Sequence, residues 1–258
     1  MKKLDKSGED SFEEPSAEDF LMEEQETEEE KKGKKRRKRL FQFIGLFVAL
    51  LLVAQIFNIW LDLFSPQSRE LARVSEELST IEHMESYKEA VAVIVGSDSR
   101  GTGFIISPDG YMLTNHHVIE QNEPFYVSLP NGEVYEAEVI KSIETPDLAL
   151  LKVEGDQLPF LSLREYGATE HEEIYVIGNP GLQSSIVNEG EIESSEGTYQ
   201  RMKITNTILP GHSGSPVLSK EGEVVGVVYA RTIGSEAGYG LAIPLERVYE
   251  HFPELKEL

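Results

Sequence analysis

The residues best suited to chemistry lie in one segment, residues 210–216 (PGHSGSP), here called the serine loop. A serine hydroxyl is a weak nucleophile at neutral pH. Ser213 would therefore need an imidazole to accept its proton and a carboxylate to hold that imidazole in one tautomer. The flanking glycines let the backbone turn sharply, so that the amides of Gly211 and Ser213 could point together at an oxyanion. Taken alone, the segment leaves an ordinary Gly/Ser/Pro loop open as the less favoured alternative.

Two upstream segments contain candidates for the partners of this serine. His116 and His117 are adjacent at the end of a predicted strand over 111–114. Because side chains alternate along a strand, only one of the two should face a cleft. Asp147 opens the apolar run 147–151, where a charge is costly unless it has a partner such as an imidazole N–H. The order histidine, aspartate, serine therefore indicates nucleophilic catalysis.

Short apolar runs separated by turn signals predict the elements that would position these side chains. The turns include Pro-Asp-Gly at 108–110 and Asn-Gly at 131–132. Many short strands with regular turns imply an antiparallel barrel or sandwich. Beyond them, helical spacing of apolar residues predicts a terminal helix over 245–252. The predicted strands cover 91–95, 103–106, 111–114, 125–129, 134–140, 148–153, 174–177, 217–218 and 224–229.

Together the three segments resemble the chymotrypsin-like serine peptidases, and most closely the bacterial HtrA/Deg group. The resemblance covers roughly residues 91–244 and rests on Thr-Asn-x-His-Val, Asp-Leu-Ala-Leu and the serine loop, with further similarity at 177–180 and 239–244. It implies a mainly β protein with two six-stranded antiparallel β-barrels and a C-terminal helix. The cleft would lie between the barrels.

The resemblance also assigns roles. It selects His117 over His116 as the general base, Asp147 as the carboxylate that orients it and Ser213 as the nucleophile. The amides of Gly211 and Ser213 would form the oxyanion hole, and peptide bonds would be hydrolysed through an acyl-enzyme. The adjacent histidine pair lacks the His-x-x-x-His spacing of zinc peptidases, so neither a metal nor another cofactor is expected.

Three departures from the family pattern bear on function. His212 stands where the HtrA group usually has Asn or Asp, which leaves the hydrogen bonding of the serine loop open; the alternative is a partly exposed side chain with no role. Ser215 and Pro216 resemble the glutamyl-endopeptidase branch instead. The chain ends at Leu258, so we expect no C-terminal PDZ domain and no regulation by one.

The primary pocket is also assigned by resemblance. Thr207 and Ile208 would form one wall, and Tyr229 and Arg231 would border the pocket from a strand. Residues 204–209 contain no carboxylate, so a preference for Lys or Arg is not expected, and small or medium apolar side chains are. Arg231 is either an exposed strand-end charge or a group that recognises an acidic substrate side chain.

The N-terminal residues predict a cytoplasmic tail, over 1–39, and a membrane anchor, over 40–62. Residues 1–30 have scarcely any large apolar side chain and are predicted to be disordered. A polybasic block over 31–39 follows, and then residues 40–61 carry no charge, which is enough to span a bilayer. A cleaved signal peptide would have a shorter apolar core. The basic block predicts a cytoplasmic N-terminus and an exported C-terminal portion.

Charge and cysteine content constrain partners. The 258 residues have a net charge of −22 and no cysteine. Residues 40–258 hold 13 Lys or Arg against 33 Asp or Glu, so this portion repels nucleic acid and anionic lipid and would attract cationic polypeptides. Because no disulfide is possible, the exported portion must be stabilised by its core.

A helical linker is predicted over 63–88, followed by the peptidase domain over 89–258. The linker is either a spacer helix at the domain edge or a short self-association seam that would support a homo-oligomer. Its apolar residues at spacings of three and four are Leu71, Val74, Leu78, Ile81 and Met84.

The sequence thus predicts a membrane-anchored serine endopeptidase that cleaves unfolded or exported polypeptides outside the cytoplasm, in the manner of protein quality control. Two other classes stay open. One is a catalytically inactive peptidase-like module that binds polypeptides. The other is a membrane-tethered structural protein assembled through residues 65–90, which explains the linker but not the triad.

Overall fold

The computed structural model describes residues 28–63, 65–97, 99–120, 124–196, 201–232 and 239–257. Two compact units are present, Met1–Asn58 and Ile59–Leu258. Most of the predicted acidic tail, residues 1–27, lies outside the described residues.

Helix α1 (Glu28–Leu63) joins the polybasic block and the apolar segment in one continuous helix. Its window Lys32–Gln55 is long and apolar enough to cross a membrane, by length and composition, with a mean hydropathy of 1.6 and no part buried. The polybasic block is therefore helical. Lys, Arg and Glu are good helix formers, which explains why the helix begins before the apolar run.

The first barrel is closed by six antiparallel strands in the order β1-β2-β3-β6-β5-β4. Alternate residues such as Ile94, Met112 and Leu151 point inward and are fully buried. The strands are β1 (Val91–Val95), β2 (Arg100–Ile105), β3 (Tyr111–Thr114), β4 (Phe125–Ser128), β5 (Val134–Ile143) and β6 (Leu148–Val153).

The second barrel closes in the order β10-β11-β12-β9-β8-β7. The predicted fold of two six-stranded barrels is thus confirmed, although three strands of this barrel were not predicted: β8 and β9 are rich in charged residues, and β12 is short and bounded by Gly and Pro. The strands are β7 (Glu173–Gly178), β8 (Ile186–Glu196), β9 (Arg201–Ile204), β10 (Pro216–Ser219), β11 (Val224–Arg231) and β12 (Gly240–Pro244).

The segment before the first barrel is not one helix. It forms α2 (Pro66–Leu78) and α3 (Met84–Glu89), separated at His83, whose φ of 68° is incompatible with a continuing helix. Leu78 and Met84 are buried in a hydrophobic cluster with residues of both barrels. Burial stabilises the fold by roughly 2 kcal/mol for each such side chain. Residues 66–89 therefore belong to the folded unit and are more than a spacer.

Three short elements complete the unit. The single turn α4 (His116–Ile119) follows β3, and α5 (Leu245–His251) and a 3₁₀ helix (Pro253–Glu257) end the described chain. The predicted terminal helix is present, with Val248 and Phe252 in the cluster shared by the barrels.

Candidate active site

A histidine and an aspartate meet at one end of the first barrel. The Nδ1 atom of His117 lies 2.8 Å from Oδ2 of Asp147. The other carboxylate oxygen, Oδ1, accepts a hydrogen bond of 3.0 Å from the backbone N–H of His117. Both oxygens of one carboxylate thus hold a single residue, which fixes the orientation of the imidazole and leaves its Nε2 directed elsewhere.

The two histidines lie in a helical turn, not at the end of a strand as predicted. Strand β3 ends at Thr114, and the backbone turns into α4 at His116. The turn separates the two side chains, because Nδ1 of His116 lies 2.7 Å from the hydroxyl of Ser142 on β5. Only His117 contacts the aspartate.

Asp147 precedes β6 and is held in an unusual conformation. Its φ is +71°, a left-handed value that non-glycine residues seldom adopt without support. The side-chain amide of Asn115 donates a hydrogen bond of 2.9 Å to the Asp147 carbonyl. Backbone and carboxylate are both anchored to the segment that carries His117, which stabilises this strained residue.

The carboxylate changes the acid–base behaviour of the histidine. Its hydrogen bond to Asp147 raises the pKa of His117 above the ordinary 6.5, against partial desolvation, which lowers it. The His117 side chain is 44% exposed, so it is accessible from solvent and to a bound molecule. An imidazole in this setting can accept a proton and keep it as a stabilised cation.

The serine loop lies against the first barrel, near this pair. Gly101 of β2 separates Val118, the residue after His117, from the Ser213 carbonyl. A β-carbon placed on Gly101 would lie 2.7 Å from a methyl of Val118 and 3.3 Å from that oxygen. The backbone N–H of Thr102 donates a hydrogen bond of 2.8 Å to the same Ser213 carbonyl.

Two peptide groups of the serine loop are fixed at both ends. In the peptide 211–212, the carbonyl accepts a hydrogen bond of 2.7 Å from the Thr102 hydroxyl, and the N–H donates a hydrogen bond of 3.1 Å to the Leu209 carbonyl. In the peptide 213–214, the carbonyl accepts 2.8 Å from the Thr102 N–H and the N–H donates 2.8 Å to Val228. Neither peptide has a free polar group.

The two peptides that alternate with them, 210–211 and 212–213, are fixed by the carbonyl alone. The carbonyl of the peptide 210–211 accepts 3.0 Å from the Gly181 N–H, and that of 212–213 accepts 2.9 Å from the Ser215 N–H. In a trans peptide, N–H and C=O point in opposite directions. The N–H groups are therefore aimed away from these partners, and neither has an acceptor among the described residues. They are those of Gly211 and Ser213.

Glycine is required at two positions of the serine loop. Gly211 has a φ of 101° and Gly214 a φ of 84°, conformations that disfavour a β-carbon. A methyl group on Gly214 would also overlap the Thr102 carbonyl oxygen and the Thr114 hydroxyl. The loop can take this shape against β2 only because both residues lack side chains.

His212 is fully buried, contrary to the alternative of a partly exposed loop side chain. Its Nδ1 lies 3.1 Å from the carbonyl oxygen and 3.2 Å from the nitrogen of Leu209, so it donates to the first or accepts from the second according to its tautomer. Burial lowers the pKa of His212 to about 4. The ring is therefore neutral near pH 7 and serves to close the serine loop onto Leu209.

The four predicted pocket residues are divided among separate places. Thr207 is exposed, whereas Ile208 is 7% exposed and packs in the core of the second barrel. Tyr229 lines a cavity of about 110 Å³ that Asp147 also lines. Arg231 lines a groove of about 460 Å³ that also includes Leu209 and Pro210 of the Ser213 region. Arg231 thus shares a groove with Pro210 of the serine loop.

Thr102 and Asn179 are functional candidates that the sequence argument did not single out. Asn179 is buried, and its backbone N–H donates 3.0 Å to the Thr102 hydroxyl. Asn179 belongs to the segment 177–180 that resembles the family, and Thr102 directly precedes the predicted strand 103–106, but nothing local indicated that they meet. Within the described ranges, no group of three His, Asp or Glu side chains lies close enough to hold a metal ion.

Comparison with known proteins gives a consistent result. Residues 101–227 match the model of the trypsin-like peptidase domain. The chain is 38% identical over 161 residues to a probable periplasmic serine endoprotease, DegP-like, of Chlamydia pneumoniae, a match covering 56% of this chain and 32% of that protein. A similarly described protein of Hahella chejuensis is 36% identical over 171 residues, covering 62% and 36%. The chain thus spans about a third of the length of these relatives.

Solved structures show the same fold. The crystal structure of the serine endoprotease from Yersinia pestis aligns with a TM-score of 0.62 at 27% identity, covering 67% of this chain and 66% of that one. A protein of M. tuberculosis H37Rv, crystallised as a serine-to-alanine mutant in an inactive form, aligns with a TM-score of 0.61 at 24% identity, covering 70% and 93%. At that identity the second likeness concerns the fold alone.

Proposed function

Residues 101–227 belong to the trypsin-like peptidase family, related to the HtrA/Deg serine endoproteases, and from that premise we propose that the chain is a serine endopeptidase. It would hydrolyse polypeptides in two steps through an acyl-enzyme on Ser213. The chain spans only about a third of the length of its DegP-like relatives. Its activity is therefore inferred from the residues of this chain and not from what those longer proteins do.

In the proposed mechanism, the Ser213 Oγ attacks the carbonyl carbon of the scissile peptide while its proton passes to Nε2 of His117. The carbonyl oxygen becomes an oxyanion and accepts hydrogen bonds from the N–H groups of Gly211 and Ser213. The C–N bond then breaks as His117 returns the proton to the leaving amine. Water, deprotonated by His117, hydrolyses the ester in the second step, and Asp147 stabilises the imidazolium in both.

The observation that carries the proposal is the pattern of peptide groups in the serine loop. Four consecutive peptides are oriented by hydrogen bonds, and the two N–H groups without an acceptor, those of Gly211 and Ser213, are the ones that the resemblance assigns to the oxyanion hole. An unsatisfied N–H is costly unless a ligand or water accepts from it. A loop with no catalytic role would have no need to maintain two such groups next to a His–Asp pair.

The proposed setting is the extracytoplasmic side of a membrane. The polybasic start of α1 would stay in the cytoplasm, its apolar part over 40–62 would span the bilayer, and the barrels would be exported. Substrates would then be unfolded or exported polypeptides, as in protein quality control. The excess of carboxylates over 40–258 favours cationic segments among them.

For specificity, we propose that substrate residues next to the scissile bond occupy the groove beside the serine loop. Leu209, Pro210 and Leu182 give it apolar walls, which suits small or medium apolar side chains. Arg231 lines the same groove and would bind an acidic side chain at a neighbouring position. Thr207, Ile208 and Tyr229 are not among the described residues that line this groove, so they are left out of the proposed pocket.

The test uses the full chain in detergent and a fluorophosphonate probe, which reacts with activated serines. Wild-type protein should be labelled, and Ser213→Ala and His117→Ala should abolish labelling. His116→Ala is the matched control and should retain it, because that histidine faces Ser142 instead. Labelling that survives Ser213→Ala, or a folded wild type that is never labelled, would remove the peptidase proposal. In the second case, binding of an unfolded polypeptide would favour the inactive module.

A further inference from the structure

We propose that Thr102 is a positioning residue for the oxyanion hole, acting from the first barrel on the serine loop of the second. Its backbone N–H and its hydroxyl hold two carbonyls of that loop and thereby set the direction of the two free amides. The inference rests on the proposed peptidase function, because only a reaction with an oxyanion makes this orientation catalytically important.

Thr102 contacts the serine loop through two groups, its backbone N–H and its side-chain hydroxyl. The backbone N–H donates 2.8 Å to the Ser213 carbonyl. The hydroxyl donates 2.7 Å to the Gly211 carbonyl. These two carbonyls belong to alternate peptides, so each lies next to a peptide whose N–H is free. Rotation of either held peptide would turn the neighbouring free N–H out of line.

The direction of the Thr102 hydroxyl proton follows from its surroundings. The oxygen accepts 3.0 Å from the Asn179 backbone N–H and lies 3.3 Å from the Asn179 side-chain amide, which is a donor only. Thr102 is fully buried, so no solvent competes. With its acceptor positions occupied, the hydroxyl can donate only to the Gly211 carbonyl.

Thr102 is itself fixed by the barrel that carries the proposed base. Its carbonyl accepts 2.7 Å from the hydroxyl of Thr114, the last residue of β3 and three residues before His117. The Asn179 side chain donates 2.9 Å to Ala92 of β1, which ties the second barrel to the first at the same point. The proposed base and the oxyanion hole therefore share one rigid support.

The hydroxyl can be removed almost without change of shape. Thr102→Val replaces it by a methyl group, while Thr102→Ser keeps the hydroxyl and removes the methyl. Without the hydroxyl, the Gly211 carbonyl loses its donor and the peptide 211–212 keeps only its contact with Leu209. Removal of one oxyanion donor lowers kcat by about 10²–10³-fold in serine peptidases. Thr102 orients the oxyanion donors without touching the oxyanion, so we expect a smaller effect in Thr102→Val, a loss of about 10- to 100-fold in kcat.

The experiment measures peptide hydrolysis by the full chain in detergent, together with inhibition by a peptide aldehyde, whose adduct with a serine places an oxyanion in the hole. In Thr102→Val, kcat should fall while KM stays within about twofold, and the aldehyde should bind more weakly by a factor close to the loss in kcat. Thr102→Ser should restore kcat to within about threefold. The matched control is Ser107→Ala, which removes a buried hydroxyl from the β2–β3 turn, where it accepts from the Tyr111 N–H.

The activity measurements can overturn the proposed role of Thr102 in three ways. A Thr102→Val protein with wild-type kcat, an equal loss in Ser107→Ala, or a Thr102→Ser protein as poor as Thr102→Val would overturn the proposal. Hydrogen exchange of residues 209–215 gives a second measurement that needs no activity. Faster exchange of the His212 amide in Thr102→Val, but not in Ser107→Ala, supports the positioning of the loop by Thr102 even if the wild type hydrolyses nothing. In that case the peptidase proposal fails, and only the structural part of this proposal, that the Thr102 hydroxyl orients the loop, is retained; unchanged exchange would overturn that part as well.

Discussion

The two barrels contribute to the candidate site in different ways. The first presents side chains: His117 and Asp147 are joined by two hydrogen bonds, one of them to the backbone. The second presents a backbone: the serine loop offers the N–H groups of Gly211 and Ser213 beside the Ser213 hydroxyl, and hydrogen bonds from neighbouring residues to its carbonyls orient these groups. A side-chain pair depends on the identity of a few residues, whereas an oriented backbone depends on the packing of many.

The two histidines show the same contrast. His117 is 44% exposed and its pKa is raised by a carboxylate, so it can carry a proton during a reaction. His212 is fully buried without a carboxylate, and its pKa falls to about 4. One imidazole is placed to exchange protons, and the other to keep a loop closed in neutral form.

The largest effect should come from breaking the side-chain pair. In Asp147→Asn, the imidazole loses the anion that stabilises its cation and its tautomer, and we expect kcat to fall on the order of 10⁴-fold. The wild-type base works only when neutral, so kcat/KM should rise with pH through a pKa above 6.5. Asp147→Asn lacks the carboxylate that raises the pKa of His117, so its residual activity should show this rise with pH at a lower pH than the wild type. Hydrolysis assays across pH check both. Asp109→Asn, which removes a surface ion pair with Lys152, should leave kcat unchanged.

The second-largest effect on kcat should come from displacing the backbone of the serine loop. Gly214→Ala places a methyl group against the Thr102 carbonyl, so the serine loop must move, and we expect kcat to fall by about 10²–10³-fold. Gly132→Ala is the control for the conformation alone, since Gly132 has a similar φ of 89° but open space around it. It should lower stability by about 1 kcal/mol without changing kcat. Equal activity in the two variants would show that space around the loop is not the limiting factor.

The smallest effect concerns the pH dependence of stability, to which His212 and His117 should contribute in different pH ranges. The unfolded chain binds a proton at histidine below pH 6.5, whereas folded His212 does not until about pH 4. Stability is therefore lost as pH falls through this window, by about 3 kcal/mol in total. In His212→Asn, this part of the pH dependence should disappear from thermal unfolding followed by circular dichroism. His117→Asn should leave it in place, because the raised pKa of His117 acts above pH 6.5.

The sequence predicted the first barrel better than the second, for physical reasons. The short apolar runs that form β1, β3 and β6 are visible in a short window of sequence. Strand β8 carries four glutamates in eleven residues, so its partner strands, not its own pattern, determine it. The candidate triad was accessible because its chemistry requires particular residue types at particular motifs.

The burial of His212 and the role of Thr102 could not be predicted in the same way. His212 packs against Gly178, where any side chain would overlap its ring, and Gly178 lies on another strand. The Thr102 hydroxyl meets the Gly211 carbonyl across 109 residues of chain. Neither contact leaves a local pattern, because both depend on how the barrels pack together.

The docking of α2 on the second barrel has a consequence for the lifetime of the protein. Ser75 accepts 3.0 Å from the Val187 N–H at the start of β8, a few residues after Gly181, whose N–H holds the Pro210 carbonyl. Leu78 and Met84 continue into the shared core. A protease that cut the chain within residues 66–89 would thus damage the support of the serine loop as it freed the barrels. If the chain works as the proposed membrane-anchored peptidase, cleavage there would inactivate the released barrels, and activity would be confined to the anchored form.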